Sequence, residues 1–413
     1  MAIIVQKFGG TSLADAEKIR RAASRVIEAV KAGFSVVVVA SARGKQTDEL
    51  IADALELNPN PPKREMDQLL STGEQQSVSL FAMALDAAGY DAISFTGGQI
   101  RMITDSVHTK ARIKSIGAER IQKQLDEGKI VIVAGFQGID ENENITTLGR
   151  GGSDTTAVAL AAALNAKECE IYTDVDGVHT TDPRIFTSAA KMQHISYDEI
   201  LEMASLGAAI MHPRAVEFGK KYDVKIHVRS SIEERDGTII THEVPQMEDV
   251  VVSGATIQKD MAKIDLVGVD NKPGNAARIF ASLANAKVVV SDIVQTEIST
   301  KKANLSFIIG ISDLTTAKEA VEQIKDVLNC ESIFIRDDIA EVSVIGIGMR
   351  THYGVAEKMF GALAEARINI DSITTSEIRI SCVVNKDQAD EALKAVSIAF
   401  ELDKPAQERA KKD

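Results

Sequence analysis

The sequence has few cysteines and no long apolar run. Cys169, Cys330 and Cys382 are widely separated, and each lies in or beside an apolar, strand-like stretch. This spacing favours buried reduced thiols over a disulfide framework or a cysteine metal site. No apolar run reaches the roughly 18 residues that a membrane-spanning helix needs, and the N-terminus enters a strand without a signal sequence. We therefore expect a cytoplasmic protein.

An excess of basic residues is also missing. The 413 residues include 47 Lys and Arg against 60 Asp and Glu, which gives a formal net charge of −13. Such a balance argues against nucleic acid or an anionic membrane as a partner. The length exceeds what one hydrophobic core usually serves, so we expect two or three domains.

In the first part of the chain, short β-branched runs alternate with helical segments. The runs 35–40 and 130–134 are continuously apolar, and shorter strands are predicted at 170–173 and 224–228. This alternation predicts a three-layer α/β domain over residues 1–232, with a mostly parallel sheet and ligands at the carboxyl ends of its strands. The polar segment 233–247 is the predicted linker.

An internal repeat follows the linker. Gly274 and Phe280 recur 80 residues later as Gly354 and Phe360, within a longer set of matches. The first copy, 263–337, is predicted to have the βαββαβ order of an antiparallel sheet with helices on one face. The second copy, 338–402, lacks a fourth strand. We hypothesise that 248–262 supplies it, so that the first copy is inserted in the second; the tail 403–413 is predicted to be disordered.

Two glycine-rich loops each precede a predicted helix. They are Lys7–Ser12 (KFGGTS), which follows a strand, and Gly149–Ala157 (GRGGSDTTA). Glycines let backbone N–H groups approach a ligand, and a helix N-terminus adds unpaired donors and partial positive charge. Either loop alone could be an ordinary turn. Together they predict two anionic ligands, as a kinase requires.

With five further motifs, these loops make the chain resemble the aspartate kinases of the amino-acid-kinase superfamily, which carry tandem C-terminal ACT domains. The resemblance implies ATP-dependent phosphorylation of the side-chain carboxylate of L-aspartate to 4-phospho-L-aspartate, the first step of lysine, threonine and methionine biosynthesis. It also implies Mg²⁺ bound with ATP. The further motifs are Ser71–Ser77 (STGEQQS), Tyr172–Val178 (YTDVDGV), Thr181–Arg184 (TDPR), Met211–Ala215 (MHPRA) and Val228–Ser231 (VRSS).

The resemblance also implies the residues of the active site. Lys7 would neutralise the transferred phosphoryl group, and Asp154 would orient Lys7 or the substrate ammonium. His212 is expected to have a structural role at a helix N-terminus. The predicted substrate-binding residues are Thr47, Glu74, Arg150, Gly151, Gly152, Ser153 and Asp154. The predicted ATP-binding residues are Lys7, Phe8, Gly9, Gly10, Ser41, Thr173, Asp174, His179, Thr180, Thr181, Asp182, Pro183, Arg184 and Lys225.

The ACT repeats imply feedback by lysine, threonine or both, and a homodimer or higher oligomer formed through these domains. Asn271 stands where the family usually has Asp, and Val288–Ser291 replaces the more polar Ile368–Asp371 of the second copy, so we predict weakened effector binding at the first copy. Met247 is a candidate internal start for a separate regulatory subunit. The predicted effector residues are Asn271, Ala276, Val288, Val289, Val290, Val294, Gln295, Val355, Ala356, Asn369, Ile370, Ser376 and Glu377.

Two alternatives stay open at this point. One is another kinase of the superfamily, acting on glutamate, acetylglutamate, carbamate or a nucleotide; Glu74, Arg150 and the ACT repeats disfavour it. The other is an amino-acid sensor with a degenerate kinase domain, which the intact Lys7, Arg150 and Asp154 disfavour.

Overall fold

A computed structural model describes residues 1–207, 211–242 and 250–409, which fall into two units. The first contains 1–179, 191–205 and 211–242, and the second contains Thr180–Ala190, 206–207 and 250–409. Part of the predicted linker, 243–247 with Met247, lies outside the described residues, as do 410–413 of the predicted tail. None of the helices in the described ranges is long and apolar enough to cross a membrane.

The first unit is a three-layer α/β structure. Its main sheet has the strand order β10-β12-β11-β9-β1-β2-β6-β3, and a small sheet has the order β5-β4-β7-β8. In chain order the elements are β1 (Ile3–Phe8), α1 (Ala16–Lys31), β2 (Ser35–Ala40), α2 (Gln46–Leu57), α3 (Lys63–Ala87), β3 (Ala92–Phe95), β4 (Ile103–Thr104), β5 (Ile113–Ser115), α4 (Glu119–Asp126), β6 (Ile130–Ala134), β7 (Gln137–Ile139), β8 (Ile145–Thr147), α5 (Gly152–Ala163), β9 (Glu168–Thr173), β10 (His194–Ser196), α6 (Tyr197–Ser205), α7 (Pro213–Tyr222), β11 (Ile226–Ser230) and β12 (Thr238–Thr241).

The main sheet is parallel except where β12 pairs antiparallel with β11. Residues 36–40 and 130–134 are buried throughout, because helices cover both faces of the central strands. The predicted fold class is confirmed. The linker prediction is partly wrong, since Thr238–Thr241 is a strand of this sheet. Gly237 permits the tight return, because a Cβ there would lie 1.8 Å from the Val228 carbonyl oxygen.

The second unit is built on one six-stranded antiparallel sheet, of order β14-β15-β13-β16-β18-β17. Its elements are β13 (Gly254–Asp270), α8 (Asn275–Asn285), β14 (Val290–Ser299), β15 (Lys302–Gly310), α9 (Leu314–Glu322), β16 (Ser332–Ile345), α10 (Val355–Glu365), β17 (Ser372–Thr375), β18 (Arg379–Asn385), α11 (Ala389–Ala399) and the single turn α12 (Ala406–Arg409).

The two repeats share the long strands β13 and β16. Residues 254–258 pair with 341–345 of the second repeat, and 263–267 pair with 332–336 of the first. Each long strand therefore serves both repeats, whereas the sequence predicted separate strands. The pairing of 254–258 is the one that the insertion hypothesis requires, and the repeat boundaries stay a prediction. Separate apolar cores lie under the two repeats, around Phe307 and Met359.

Two segments differ from their predicted domains. Thr180–Ala190, predicted within the catalytic domain, belongs to the second unit. The Thr180 hydroxyl and the Ala190 N–H both donate to the Leu402 carbonyl, at 2.5 and 2.9 Å. The predicted disordered tail includes the helical turn α12, where Arg409 donates to the Val252 carbonyl at 2.6 Å. These contacts join segments far apart in the sequence, which composition alone does not reveal.

Candidate active site and regulatory loops

Three parallel strands end side by side at one edge of the main sheet. Phe8 is in register with Ala40 of β2 and with Tyr172 of β9. The Ser41 N–H donates to the Phe8 carbonyl at 3.1 Å, and the Gly9 N–H donates to the Tyr172 carbonyl at 3.4 Å. The loops that follow these strands are therefore held together, as expected at the carboxyl edge of a parallel sheet.

Lys7 and Asp154 form an ion pair at this edge. The Lys7 ammonium lies 2.6 Å from Asp154 Oδ1, and both side chains are largely shielded from solvent. Asp154 lies in the first turn of α5, where the helix dipole favours a carboxylate. The pair fixes the lysine charge beside Gly9, whose Cα lacks the side chain that would block a ligand. The sequence analysis expected Asp154 to orient either Lys7 or the substrate ammonium, and in the structure its partner is Lys7.

The glycines of the first loop allow close packing of backbone. A Cβ on Gly10 would lie 2.6 Å from the Ala42 carbonyl oxygen. The Gly44 N–H donates to the Gly10 carbonyl at 2.9 Å, which ties the loops after β1 and β2 together. The Phe8 side chain is fully buried and stacks on Tyr172 with ring centroids 4.8 Å apart. Phe8 can therefore contribute to ligand binding only through its backbone.

Glu74 is a buried carboxyl group next to this edge. It lies in the middle of α3, is 3% exposed, and accepts a hydrogen bond from the Ala42 N–H at 3.1 Å. Its Oε2 atom has no hydrogen-bond partner among the described residues. Burial raises the pKa of Glu74 to about 8. A buried acceptor without a partner is suited to an ammonium ligand. Thr47, in the first turn of α2, is partly exposed.

The second glycine loop leads into α5. Gly149 and Gly151 have φ values of 80° and 66°, in the region that favours glycine. Between them, Arg150 is exposed and forms no ion pair with any residue the structure describes. Gly152 and Ser153 begin the helix and are buried. The loop thus presents a guanidinium and a helix N-terminus, an arrangement suited to a carboxylate.

The predicted nucleotide residues are divided between the two units. Thr173 ends β9 and Asp174 follows it, and their side chains are hydrogen bonded at 3.1 Å. His179 lies 2.8 Å from Asp176. The other predicted residues of this segment, Thr180, Thr181, Asp182, Pro183 and Arg184, belong to the second unit. There Asp182 binds Arg184 in a bidentate pair, and Thr180 is 1% exposed.

Lys225 lies away from the carboxyl edge. It precedes β11, whose residue Ile226 pairs with Cys169 near the start of β9, and its ammonium is 3.0 Å from Glu168. Lys7 and Thr173 lie at the opposite ends of these strands. Lys225 was predicted as an ATP ligand because it lies on a late strand, but the parallel register puts it at the amino end. We leave it out of the proposed site.

Sequence reasoning missed Asp67, which anchors the surroundings of the second glycine loop. Asp67 is fully buried and accepts bonds from the Thr109 N–H at 3.0 Å and the Thr147 hydroxyl at 2.5 Å. Its Oδ2 lies 2.7 Å from His108 Nδ1. These partners are about 40 and 80 positions away in the chain. A single sequence contains no signal for such contacts.

In the first repeat, a cavity of about 330 Å³ lies between the loop before α8 and the strands β14 and β15. Its lining includes three predicted effector residues, Asn271, Ala276 and Gln295, and two that the sequence reading missed, Asp270 and Asn275. Lys272 and Asn329 bond to Asp270 and lower its pKa to about 2. The predicted residues Val288, Val289, Val290 and Val294 are not among those that line the cavity.

In the second repeat, the predicted effector residues are mostly at the surface. Asn369, Ser376 and Glu377 are exposed, Ala356 and Ile370 are partly buried, and Val355 is buried. The Glu377 carboxylate is 2.6 Å from the Arg350 guanidinium. Glu377 is therefore neutralised within its own repeat.

The residues with metal-ligand geometry lie elsewhere. Among the described residues, Glu168, Glu170 and His227 form the group whose ligand atoms lie within 4.8 Å of one another. Lys225 and Arg229 already pair with the two carboxylates, at 3.0 and 2.6 Å. At the Lys7 edge, Asp154 is paired with Lys7, Glu74 is buried and bonded to the Ala42 N–H, and Asp174 is exposed. Among the described residues, these carboxyl groups do not form a cluster with metal-ligand geometry.

Comparison with known proteins identifies the family to which this chain belongs. Residues 2–230 match the amino acid kinase family, and residues 342–400 match an ACT domain. The chain is 51% identical over 402 residues to the aspartokinase of Bacillus sp. strain MGA3, covering 97% of this chain and 98% of that relative. It is also similar to E. coli aspartokinase III in complex with aspartate and ADP, with 26% identity, a TM-score of 0.79, and coverage of 96% of this chain and 99% of that one.

A second structure of E. coli aspartokinase III, in complex with lysine and aspartate, has 25% identity and a TM-score of 0.77, with coverage of 96% and 99%. These matches extend over nearly the whole chain and include both the loops at the carboxyl edge and the regulatory repeats. The resemblance read from the sequence motifs is confirmed. The chain belongs to the aspartokinases of the amino acid kinase family.

Proposed function

We infer that this chain transfers the γ-phosphoryl group of ATP to the side-chain carboxylate of L-aspartate, forming 4-phospho-L-aspartate. This reaction begins the biosynthesis of lysine, threonine and methionine from aspartate. The observation that carries the inference is the carboxyl edge itself, where Lys7, Glu74, Asp154 and the Arg150 loop surround the ends of adjacent strands. Full-length identity to the aspartokinase of Bacillus sp. strain MGA3 supports it.

The chemistry needs charge neutralisation more than a base. The attacking carboxylate is already anionic, so the main obstacle is its repulsion from the triphosphate. We assign Lys7 to the transferred phosphoryl group as a point charge, held in place by Asp154 at 2.6 Å. Gly9 and Gly10 let the phosphates approach the backbone.

Two residues would bind the ammonium and the α-carboxylate of aspartate. Glu74 Oε2 has no hydrogen-bond partner in the described ranges, and the substrate ammonium would donate to it. The exposed Arg150 guanidinium is free to hold the α-carboxylate with two parallel bonds. Thr47, Gly151, Gly152 and Ser153 complete the proposed substrate site, and Ser41, Thr173, Asp174 and His179 the proposed nucleotide site.

An ATP-dependent kinase works with a nucleotide-associated metal, and we propose Mg²⁺. The carboxyl edge fits a metal that arrives with ATP, because Mg²⁺ keeps several waters and is held largely by phosphate oxygens. Asp154 and Asp174 are the carboxylates near enough to the edge to add a ligand. When bound, Mg²⁺ would neutralise phosphate charge beside Lys7.

We propose that end-product amino acids inhibit the enzyme through the ACT repeats. E. coli aspartokinase III has been solved with lysine, which makes lysine a candidate effector here, with threonine as the second. We also propose a homodimer or higher oligomer formed through these repeats, a cytoplasmic location, and an internal start at Met247.

The decisive test is ADP release with Mg-ATP and L-aspartate, in wild type and in Lys7→Ala. Loss of one group that stabilises transition-state charge reduces turnover by about 10²–10³. We expect a loss of at least this size, with Lys31→Ala, at an exposed helix end, as control. Lack of aspartate-dependent turnover by the wild type would refute the proposed function.

A further inference from the structure

We propose that Arg214 is a positioning residue that holds the Arg150 loop in the shape that binds aspartate. Arg214 is the second residue of α7. One of its terminal nitrogens donates to the Leu148 carbonyl at 2.9 Å, and the other donates to the Ala111 carbonyl at 2.8 Å. Leu148 directly precedes the glycine loop. The proposal rests on the proposed function, because it assigns Arg150 to the substrate.

Both hydrogen-bond partners of the Arg214 guanidinium are backbone carbonyls. Its guanidinium is partly buried, yet no carboxylate forms an ion pair with it in the part of the chain that the structure describes. Burying a cation against neutral carbonyls carries a desolvation penalty, which the two hydrogen bonds offset. The bonds fix the carbonyl of Leu148, which precedes the loop, and the carbonyl of Ala111, whose segment pairs with Thr147 beside it.

The residue before the same helix packs against the loop itself. A Cβ on Gly151 would lie 2.1 Å from His212 Cβ, so the Gly151 backbone rests directly on His212. Gly151 has a φ of 66° and caps α5. The start of α7 therefore touches the loop on both sides of Arg150, through Arg214 at Leu148 and through His212 at Gly151.

A second anchor holds the same segments through other residues. The buried Asp67 accepts from Thr147 and Thr109, and the Ala111 N–H donates to the Thr147 carbonyl at 2.9 Å. Asp67 thus fixes the backbone before the loop, while Arg214 bridges Leu148 to Ala111. Only the tip with Arg150 is left exposed. Three glycines would otherwise let this tip sample many conformations, and ordering it beforehand improves affinity.

We expect substitution of Arg214 to weaken the binding of aspartate more than that of ATP. Arg214→Gln loses the charge and the bidentate geometry, so the loop loosens and Arg150 spends less time in the binding conformation. We expect the KM for aspartate to rise about 10-fold or more, and the KM for ATP to change less than 3-fold. Arg214→Lys keeps the charge but can bridge the two carbonyls less well, so its effect should be intermediate.

A double-mutant cycle with Arg150→Ala tests whether Arg214 acts through Arg150. Once Arg150 is absent, Arg214→Gln should raise the KM for aspartate by less than 3-fold. Lys221→Ala, an exposed position on the same helix, is the matched control and should leave all constants unchanged. Thermal midpoints of each variant report on folding.

The outcomes distinguish a failure of the Arg214 proposal from a failure of the proposed function. An effect of Arg214→Gln that stays undiminished in the Arg150→Ala background, or that raises the KM for ATP equally, would overturn the proposal. If Arg214→Gln does not fold, Arg214→Lys carries the same cycle, and an unchanged KM for aspartate would count against us. Absence of aspartate turnover in the wild type would instead refute the proposed function.

Discussion

The two large sheets of this protein use their strands in different ways. In the first unit, the main sheet places single residues at the ends of separate strands, and Lys7, Ser41 and Thr173 meet because their strands end in register. In the second unit, β13 and β16 each belong to both repeats. A substitution at the catalytic edge should therefore act locally, whereas a substitution in the regulatory sheet should affect both repeats.

After the loss expected for Lys7→Ala, the largest expected effect is at Glu74, within the catalytic edge. Glu74→Gln removes the negative charge that attracts the substrate ammonium and replaces one acceptor oxygen with an N–H donor, so we expect the KM for aspartate to rise about 100-fold. Burial raises the pKa of Glu74 to about 8, so wild-type affinity for aspartate should increase as the pH rises through that value. Kinetics between pH 6.5 and 9 check this, and the Gln variant should not show the pH dependence.

The same group makes a prediction about stability. Because its pKa in the folded protein is raised above the ordinary value, the neutral form is favoured, and stability present at low pH is lost as the pH rises through about 8. Glu74→Gln should therefore raise the thermal midpoint more at pH 9 than at pH 6. Glu65→Gln, exposed on the same helix, is the control. Equal shifts at both pH values would contradict this account.

An intermediate effect is expected where the two repeats touch. The Arg379 guanidinium of β18 lies 3.1 Å from Asp292 of β14, and both side chains are largely buried. Arg379→Met leaves Asp292 without this partner. Removing one partner of a buried pair costs about 3–5 kcal/mol, so the thermal midpoint should fall by several degrees. The turnover number without effector should stay close to that of wild type.

The exposed pair Arg350–Glu377, at 2.6 Å, offers a matched control. Surface pairs contribute about 0–1 kcal/mol, so Arg350→Met should hardly move the midpoint. If the two variants lowered the thermal midpoint by similar amounts, the buried Arg379–Asp292 pair would contribute no more to stability than the exposed pair.

Much of the catalytic edge was predictable because its signals are local. Lys7, Gly9 and Gly10 directly follow an apolar run, and strand ends in parallel sheets converge. Asp67 and Arg214 were not predictable, since their partners lie about 40 to 100 positions away. Lys225 was assigned to the wrong edge of the main sheet, because the sequence does not reveal in which direction a strand runs.

The shared strands were missed for a different reason. The charged residues Arg336, Asp337 and Asp338 interrupt an apolar pattern, so the sequence was divided into two strands there. In the structure β16 continues through them, because Arg336 pairs with Asp371 at 3.0 Å and Lys263 pairs with the same carboxylate at 2.9 Å. A partner from another segment thus compensates for a charge that would otherwise end the strand.

The smallest expected effect distinguishes the two proposed effector sites. Asn275 and Val355 occupy equivalent positions at the start of α8 and α10, and both are 7% exposed. The Asn275 amide donates to the Asp270 carbonyl at 2.7 Å beside the first cavity. Asn275→Val makes the first repeat resemble the second and removes a bond worth about 1 kcal/mol, so the inhibition constant of the effector bound there should change about fivefold.

Inhibition curves with lysine, with threonine and with both would measure this change. We expect Asn275→Val to alter the response to one amino acid and Val355→Asn to alter the response to the other, because each variant changes a single loop. Equal responses of both variants to both effectors would mean that the shared strands couple the two loops so tightly that they behave as one site. At the catalytic edge, each strand end acts separately. That result would show that the contrast between the two sheets also holds for ligand binding.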